Sequence, residues 1–181
     1  APIVSGGPNL QYVCKNNPNA ALNATSTTGS VVWTTLGTGT FTPSNTILNP
    51  TYNSSSADTT AGSVQIIITS SNNGSCNSVS DTITLIYTST ITISAGVSQT
   101  VCSNNPTVSL TGTCTTGVGT WSSSGTGTFS PNNLTGNYLP SGADILAGIV
   151  TLTVTSGNNG TCLPITSTIV VNITPGPTAN A

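Results

Sequence analysis

The chain has no histidine, glutamate, arginine or methionine, and its whole charged inventory is Lys15 set against Asp58, Asp81 and Asp144. Each absence closes a class of function. Without histidine there is no imidazole base to activate a serine or cysteine nucleophile, so catalysis of that kind is excluded. Without histidine or grouped acids, zinc and calcium lack their usual donor sets, so no metal or other cofactor is expected. Glycoside hydrolysis needs paired carboxylates, and these aspartates stand singly. A nucleic-acid surface needs clustered lysine and arginine to displace counterions, so no nucleic-acid partner is expected. No apolar run reaches the roughly 18 residues of a transmembrane helix. No basic, apolar leader is read at Ala1, and any targeting segment is expected to lie outside this sequence.

Threonine, serine and asparagine fill the space that charge leaves, together about 45% of the 181 residues. Sparse charge often accompanies disorder, but here the mean hydropathy is positive and β-branched residues are plentiful, which favours packed sheets. The length suits two small domains.

The chain repeats itself. Cys14-Lys-Asn-Asn-Pro18 returns as Cys102-Ser-Asn-Asn-Pro106, Trp33 as Trp121, and Gly37-Thr-Gly-Thr-Phe41 as Gly125-Thr-Gly-Thr-Phe129. After a two-residue deletion, Tyr52 falls on Tyr138, Asp58 on Asp144, Gly62 on Gly148 and Cys76 on Cys162. Core residues, turn residues and cysteines recur, and no catalytic group does. That is the mark of an array built for length and surface.

Period-2 segments dominate. Val64–Thr69 and Val150–Thr155 read as strands, and residues 81–87 and 168–173 as closing strands. Asn72-Asn-Gly74 and Asn158-Asn-Gly160 read as turns that join antiparallel strands. The fold class expected is all-β: two tandem immunoglobulin-like antiparallel β-sandwiches of about seven short strands each. Residues 1–88 form the first repeat, 89–174 the second, and 175–181 a linker into a next repeat, because Thr174–Ala181 matches Thr88–Ala95. On this reading the chain is an excerpt of a longer array, and the short connection near Thr88-Ser-Thr90 couples neighbouring repeats stiffly.

The ordered set Val-Cys-x-Asn-Asn-Pro, Trp, Gly-Thr-Gly-Thr-Phe-x-Pro, Tyr, Asp, Ala-Gly, Asn-Gly-x-Cys resembles the immunoglobulin-like or PKD-like repeats of very large Bacteroidota surface proteins. Adhesins associated with gliding and type IX secretion are among them. The resemblance covers nearly all of both repeats. It implies secretion, cell-surface display and tandem arrangement, and it carries over no active site. Asp58-Thr59-Thr60 and Asp81-Thr82-Ile83 resemble O-glycosylation sites of the same bacteria, which marks Thr59 and Thr82 as candidate glycan sites.

The cysteines are the strongest chemical signal. Cys14 with Cys76, and Cys102 with Cys162, sit about 60 residues apart at matching positions. The expected reading is one disulfide within each repeat, formed in an oxidising compartment. Buried free thiols and a metal site are the alternatives, the latter short of ligands. Cys114, opposite Ser26, is left as a free or interchain thiol. Trp33, Trp121, Phe41, Phe129, Tyr52 and Tyr138 could stack on sugars, but recurrence at fixed phase in strands favours the core. Asp58 and Asp144 read as loop-capping carboxylates that accept backbone N–H groups.

The function expected is that of a structural tandem repeat in an extracellular adhesin, stalk or filament, with no enzyme activity. A carbohydrate- or protein-binding surface module is the alternative. The partners expected are neighbouring repeats of the same chain, other copies of it in a homopolymeric fibre, and glycans.

Overall fold

The computed structural model describes residues 1–177; the last four residues of the expected linker lie outside them. The chain divides into two compact units, Ala1–Thr90 with Thr161–Leu163, and Ile91–Gly160 with the residues from Pro164 onward.

In the first unit a four-stranded sheet runs in the order Leu10–Cys14, Ser80–Thr88, Ser63–Ser70, Val31–Thr35. A three-stranded sheet of Ala20–Ala21, Thr51–Asn53 and Thr40–Thr42 supplies the other layer, and Val4–Ser5 pairs with Thr25–Ser26. The alternation of Ser63–Ser70 explains its place. Val64, Ile66 and Ile68 are buried while Gln65 is exposed, as period-2 geometry requires. The register sets Ile66 opposite Ile83, Val64 opposite Leu85, and Trp33 opposite Ile68. Together with Val13, Ala20, Leu22 and Tyr52 these residues form one core. Each fully buried isoleucine contributes roughly 2 kcal/mol relative to exposure. The fold is an all-β, immunoglobulin-like sandwich.

The second unit repeats the plan: Gln99–Cys102, Thr166–Thr174, Ile149–Ser156 and Gly119–Ser123 in one sheet, with Val108–Ser109, Asn137–Leu139 and Thr128–Ser130 in the other. Its core holds Trp121, Tyr138, Leu152, Val154, Ile169 and Val171. The repeat phase shifts once more at the start of the units. Val4 pairs with Ser26 where Ile93 pairs with Cys114, because Leu10–Cys14 is one residue longer than Gln99–Cys102.

Two features depart from the expected all-antiparallel, helix-free units. Leu10–Cys14 runs parallel to Ser80–Thr88, with Leu10 beside Thr84 and Cys14 beside Thr88, and Gln99–Cys102 does the same beside Thr166–Thr174. Short helices, Ser56–Ala61 and Gly142–Ala147, precede the long strands. At six residues each they are too short for an apolar period to show.

Candidate functional site

The recurring polar residues converge on one arrangement in each unit. Ser55 caps the helix Ser56–Ala61: its hydroxyl accepts the Asp58 amide at 3.1 Å, and the Asp58 carboxylate accepts the Ser55 amide at 3.0 Å. This reciprocal pair is a capping box. Asp58 then reaches beyond the helix. It accepts the Tyr52 hydroxyl at 2.8 Å and the Thr38 amide at 2.9 Å, while the Gly39 amide donates to the Tyr52 oxygen at 3.1 Å. Asp144 repeats the set with Ser141, Tyr138, Thr126 and Gly127. The Gly-Thr-Gly motif follows from this packing. A Cβ on Gly37 would collide with the Asp58 carboxylate, and one on Gly39 would stand 2.5 Å from the Tyr52 oxygen.

Both aspartates are buried, at 4% exposure each. Burial alone would raise their pKa, but the converging donors outweigh it. Asp58 is held below its ordinary value by the Ser55 and Thr38 amides and the Tyr52 hydroxyl. Asp144 is lowered to about 2, with the Tyr138 hydroxyl and the Ser141 amide chief among the donors. Burial and the adjacent Asp58 push Tyr52 up to about 12. An anion with all its acceptors engaged, beside a neutral phenol, is a latch between strand, loop and helix. It leaves no group free for proton transfer. The sequence signalled the capping role of Asp58; the helix itself was missed, although Ser55-x-x-Asp58 and Ser141-x-x-Asp144 carry the spacing of a capping box.

The aromatic residues stand in or against the core. Trp33, Tyr52 and Tyr138 have no exposure, Trp121 has 3%, and Phe41 and Phe129 pack on the clusters partly buried. Among the described residues Tyr12 is the one aromatic more than half exposed, and Thr100 takes its place in the second repeat. The two tryptophans differ in one bond. The Trp33 indole N–H donates to the Leu48 carbonyl at 3.2 Å, whereas that of Trp121 is buried without an acceptor. Leu134 stands two residues before Gly136 as Leu48 stands two before Pro50, but its carbonyl accepts the Gly112 amide at 2.9 Å instead. Asn45 accepts the Trp33 amide with its backbone carbonyl and donates its side-chain amide to the Trp33 carbonyl, whereas Asn132 makes both bonds to the Trp121 backbone with its side chain.

The cysteine pairing is corrected. Cys14 bonds to Cys162, with Cα atoms 4.8 Å apart, and Cys76, Cys102 and Cys114 are free thiols. The parallel strand is the reason. Cys14 lies beside Thr88 at the end of Ser80–Thr88, while Cys76 precedes its start. Eight residue steps of strand span roughly 25 Å, far beyond disulfide reach. Cys102 and Cys162 are likewise placed at opposite ends of Thr166–Thr174, so neither expected pair can close.

The segment Thr161–Leu163 is gripped by Asn16 and Asn17 of the recurring Cys-x-Asn-Asn-Pro motif. Asn16 donates to the Leu163 carbonyl at 3.1 Å and accepts its amide at 3.1 Å, and Asn17 donates to the Thr161 carbonyl at 3.4 Å. No sequence signal distinguished this grip from turn chemistry. Cys114 Sγ lies 3.1 Å from the Thr116 hydroxyl, as Ser26 Oγ lies 3.0 Å from that of Thr28, so either residue fits the position. Thr82 is exposed on its strand, and Thr59 is half-buried with its hydroxyl donating to the Ser56 carbonyl at 3.0 Å. Among the described residues no three His, Cys, Asp or Glu side chains gather as a metal site, and no helix is long and apolar enough to cross a membrane.

No family profile matches the chain, and no curated protein does. Among solved structures, the PKD domain of human KIAA0319 is similar at 17% identity over 50% of this chain and 88% of that one, with a TM-score of 0.35. Mouse protocadherin-24 EC1-3 is similar at 12% identity over 93% of this chain, with a TM-score of 0.41; the chain spans 62% of that fragment's length. The D00-D0 domain of intimin is similar at 11% identity over 94% of this chain and 99% of that one, at 0.38. Likenesses at these scores fix neither a family nor a function.

Proposed function

We propose that this chain is a non-catalytic structural segment of an extracellular adhesin, stalk or filament, composed of tandem repeats with bounds near residues 1–88 and 89–174. One observation carries the reading. The chemistry-bearing residues that recur at fixed phase, apart from the cysteines, are engaged inside their own unit: Tyr52 and Asp58 in the latch, Trp33 in the core, and their counterparts likewise. Repetition preserves a fold here. The Cys14–Cys162 disulfide supports an oxidising, extracytoplasmic location. A surface of hydroxyls and amides with almost no charge offers little self-repulsion, which suits close assembly. The resemblance to Bacteroidota surface repeats points the same way, and Thr82 is the more accessible of the two candidate glycan acceptors.

The test is immunogold labelling of intact source cells with an antibody to this chain, with the native material imaged at low and high ionic strength. Label on surface structures that persist in high salt is expected. Label confined to the cell interior, or fibres that dissolve as salt rises, would overturn the reading.

A further inference from the structure

Each sequence repeat carries one cysteine at either end of its closing strand, Cys76 before Ser80–Thr88 and Cys14 beside its end, then Cys162 before Thr166–Thr174 and Cys102 beside its end. The one disulfide among the described residues, Cys14–Cys162, joins the first such cysteine of the first sequence repeat to the second of the next. We infer that Cys102 and Cys76 are the two open ends of the same linkage, and that Cys102 of one chain forms a disulfide with Cys76 of a second copy, head to tail. This deepens the tandem-repeat reading by naming the partner and the bond.

Socket and plug are both on the page, each once filled and once empty. The filled socket consists of Cys14, Asn16 and Asn17, with the Cys14 sulfur 3.7 Å from the Ser89 carbonyl. The empty one has the same parts: Cys102, Asn104, Asn105, and the Pro175 carbonyl 3.7 Å from the Cys102 sulfur. The local backbone agrees too, since Cys14 bridges Asn17 as Cys102 bridges Asn105. What differs is cover. Cys14 is fully buried and Asn16 half-buried, whereas Cys102 is only half-buried and Asn104 exposed.

The plug is equally matched. In the bonded copy Asn158 and Gly160 take positive φ, 52° and 58°, ahead of Cys162; in the free copy Asn72 and Gly74 do so, 55° and 62°, ahead of Cys76. Asn159 ties the bonded turn to the Ser156 carbonyl at 3.1 Å, and Asn73 ties the free one to Ser70 at 3.2 Å. The socket asparagines hold Thr161 and Leu163 only through backbone atoms. Ser75 and Asn77 can therefore replace them without loss of a bond. Cys76 is exposed and accessible to such a socket.

The bond forms by thiol–disulfide exchange. The two thiols release two protons and two electrons, and a disulfide donor such as oxidised glutathione accepts them to become two thiols. Because socket and plug are different surfaces, the contact is heterologous and links copies in series instead of pairing identical surfaces.

The experiment uses the 181-residue chain carrying Cys114→Ser, in a mixture of isotopically light and heavy protein, oxidised in a glutathione buffer. A ladder of oligomers on non-reducing gels is expected, with a Cys76–Cys102 peptide that pairs light and heavy halves. Cys76→Ser and Cys102→Ser should each stay monomeric alone and yield a single dimer band when mixed. Asn104→Ala should slow ladder formation several-fold. Monomers throughout, symmetric Cys76–Cys76 or Cys102–Cys102 links, or an intrachain Cys76–Cys102 bond would overturn the inference. Surface labelling is read independently, so those outcomes would leave the proposed function standing.

Discussion

At the scale of the residue, the latch makes stability depend on pH in a stated direction. Asp144 is held at about 2 against an ordinary 3.8, so its carboxylate stabilises the fold fully above the unfolded value. That stability, roughly 2 kcal/mol, is lost as pH falls from about 4 through 2. Urea unfolding at pH 5 and pH 2 should show the loss, and Asp144→Asn should reduce stability at pH 5 and flatten its acid dependence. Tyr52 sets the other limit. Its folded pKa is raised to about 12, so its contribution is intact below 10 and disappears as pH rises toward 12. The tryptophans offer a matched comparison. Trp33→Phe removes a hydrogen bond and leaves the Leu48 carbonyl without its donor, whereas Trp121→Phe removes a donor that had no acceptor. Beyond what both lose in packing, Trp33→Phe should cost about 1 kcal/mol more by denaturant unfolding. Equal costs would contradict a stabilising Trp33–Leu48 hydrogen bond.

At the scale of the element, the caps and turns separate two kinds of glycine. Gly62 ends its helix at φ 85° with open space where a Cβ would go, so Gly62→Ala costs only the backbone conformation, about 1 kcal/mol. Gly125 sits against the Asp144 carboxylate, so Gly125→Ala must displace the latch and should cost about 1–3 kcal/mol. Thermal unfolding of the two variants should rank them in that order. The same scale shows what the sequence disclosed. Alternation in Val64–Thr69 and Val150–Thr155 marked the long strands within a residue of their ends, and the recurring aromatic positions marked the core. Strand direction left no such trace. Leu10–Cys14 carries the same residues whether it runs parallel or antiparallel to Ser80–Thr88, and that one unreadable choice decides which end of the sheet Cys14 occupies. The disulfide error follows from it. The loop carbonyl that satisfies Trp33 was equally hidden, because a backbone acceptor has no residue identity.

At the scale of the whole molecule, four charged side chains leave little for salt to screen. Melting temperature should therefore change by no more than a few degrees between about 0.01 and 1 M sodium chloride, although the Debye length falls from roughly 30 to 3 Å across that range. Stability here rests on apolar burial, buried hydrogen-bond latches and covalent closure. Covalent closure is the contribution most open to direct test. The cysteines that flank each closing strand lie at its opposite ends, so neither Cys14–Cys76 nor Cys102–Cys162 closes. Non-reducing peptide mapping of the monomeric chain, with free thiols alkylated first, measures this directly. The expected result is one disulfide-linked peptide, Cys14 with Cys162, and alkylated Cys76, Cys102 and Cys114. Recovery of Cys14–Cys76 and Cys102–Cys162 instead would contradict the strand direction, the pairing and the head-to-tail linkage together.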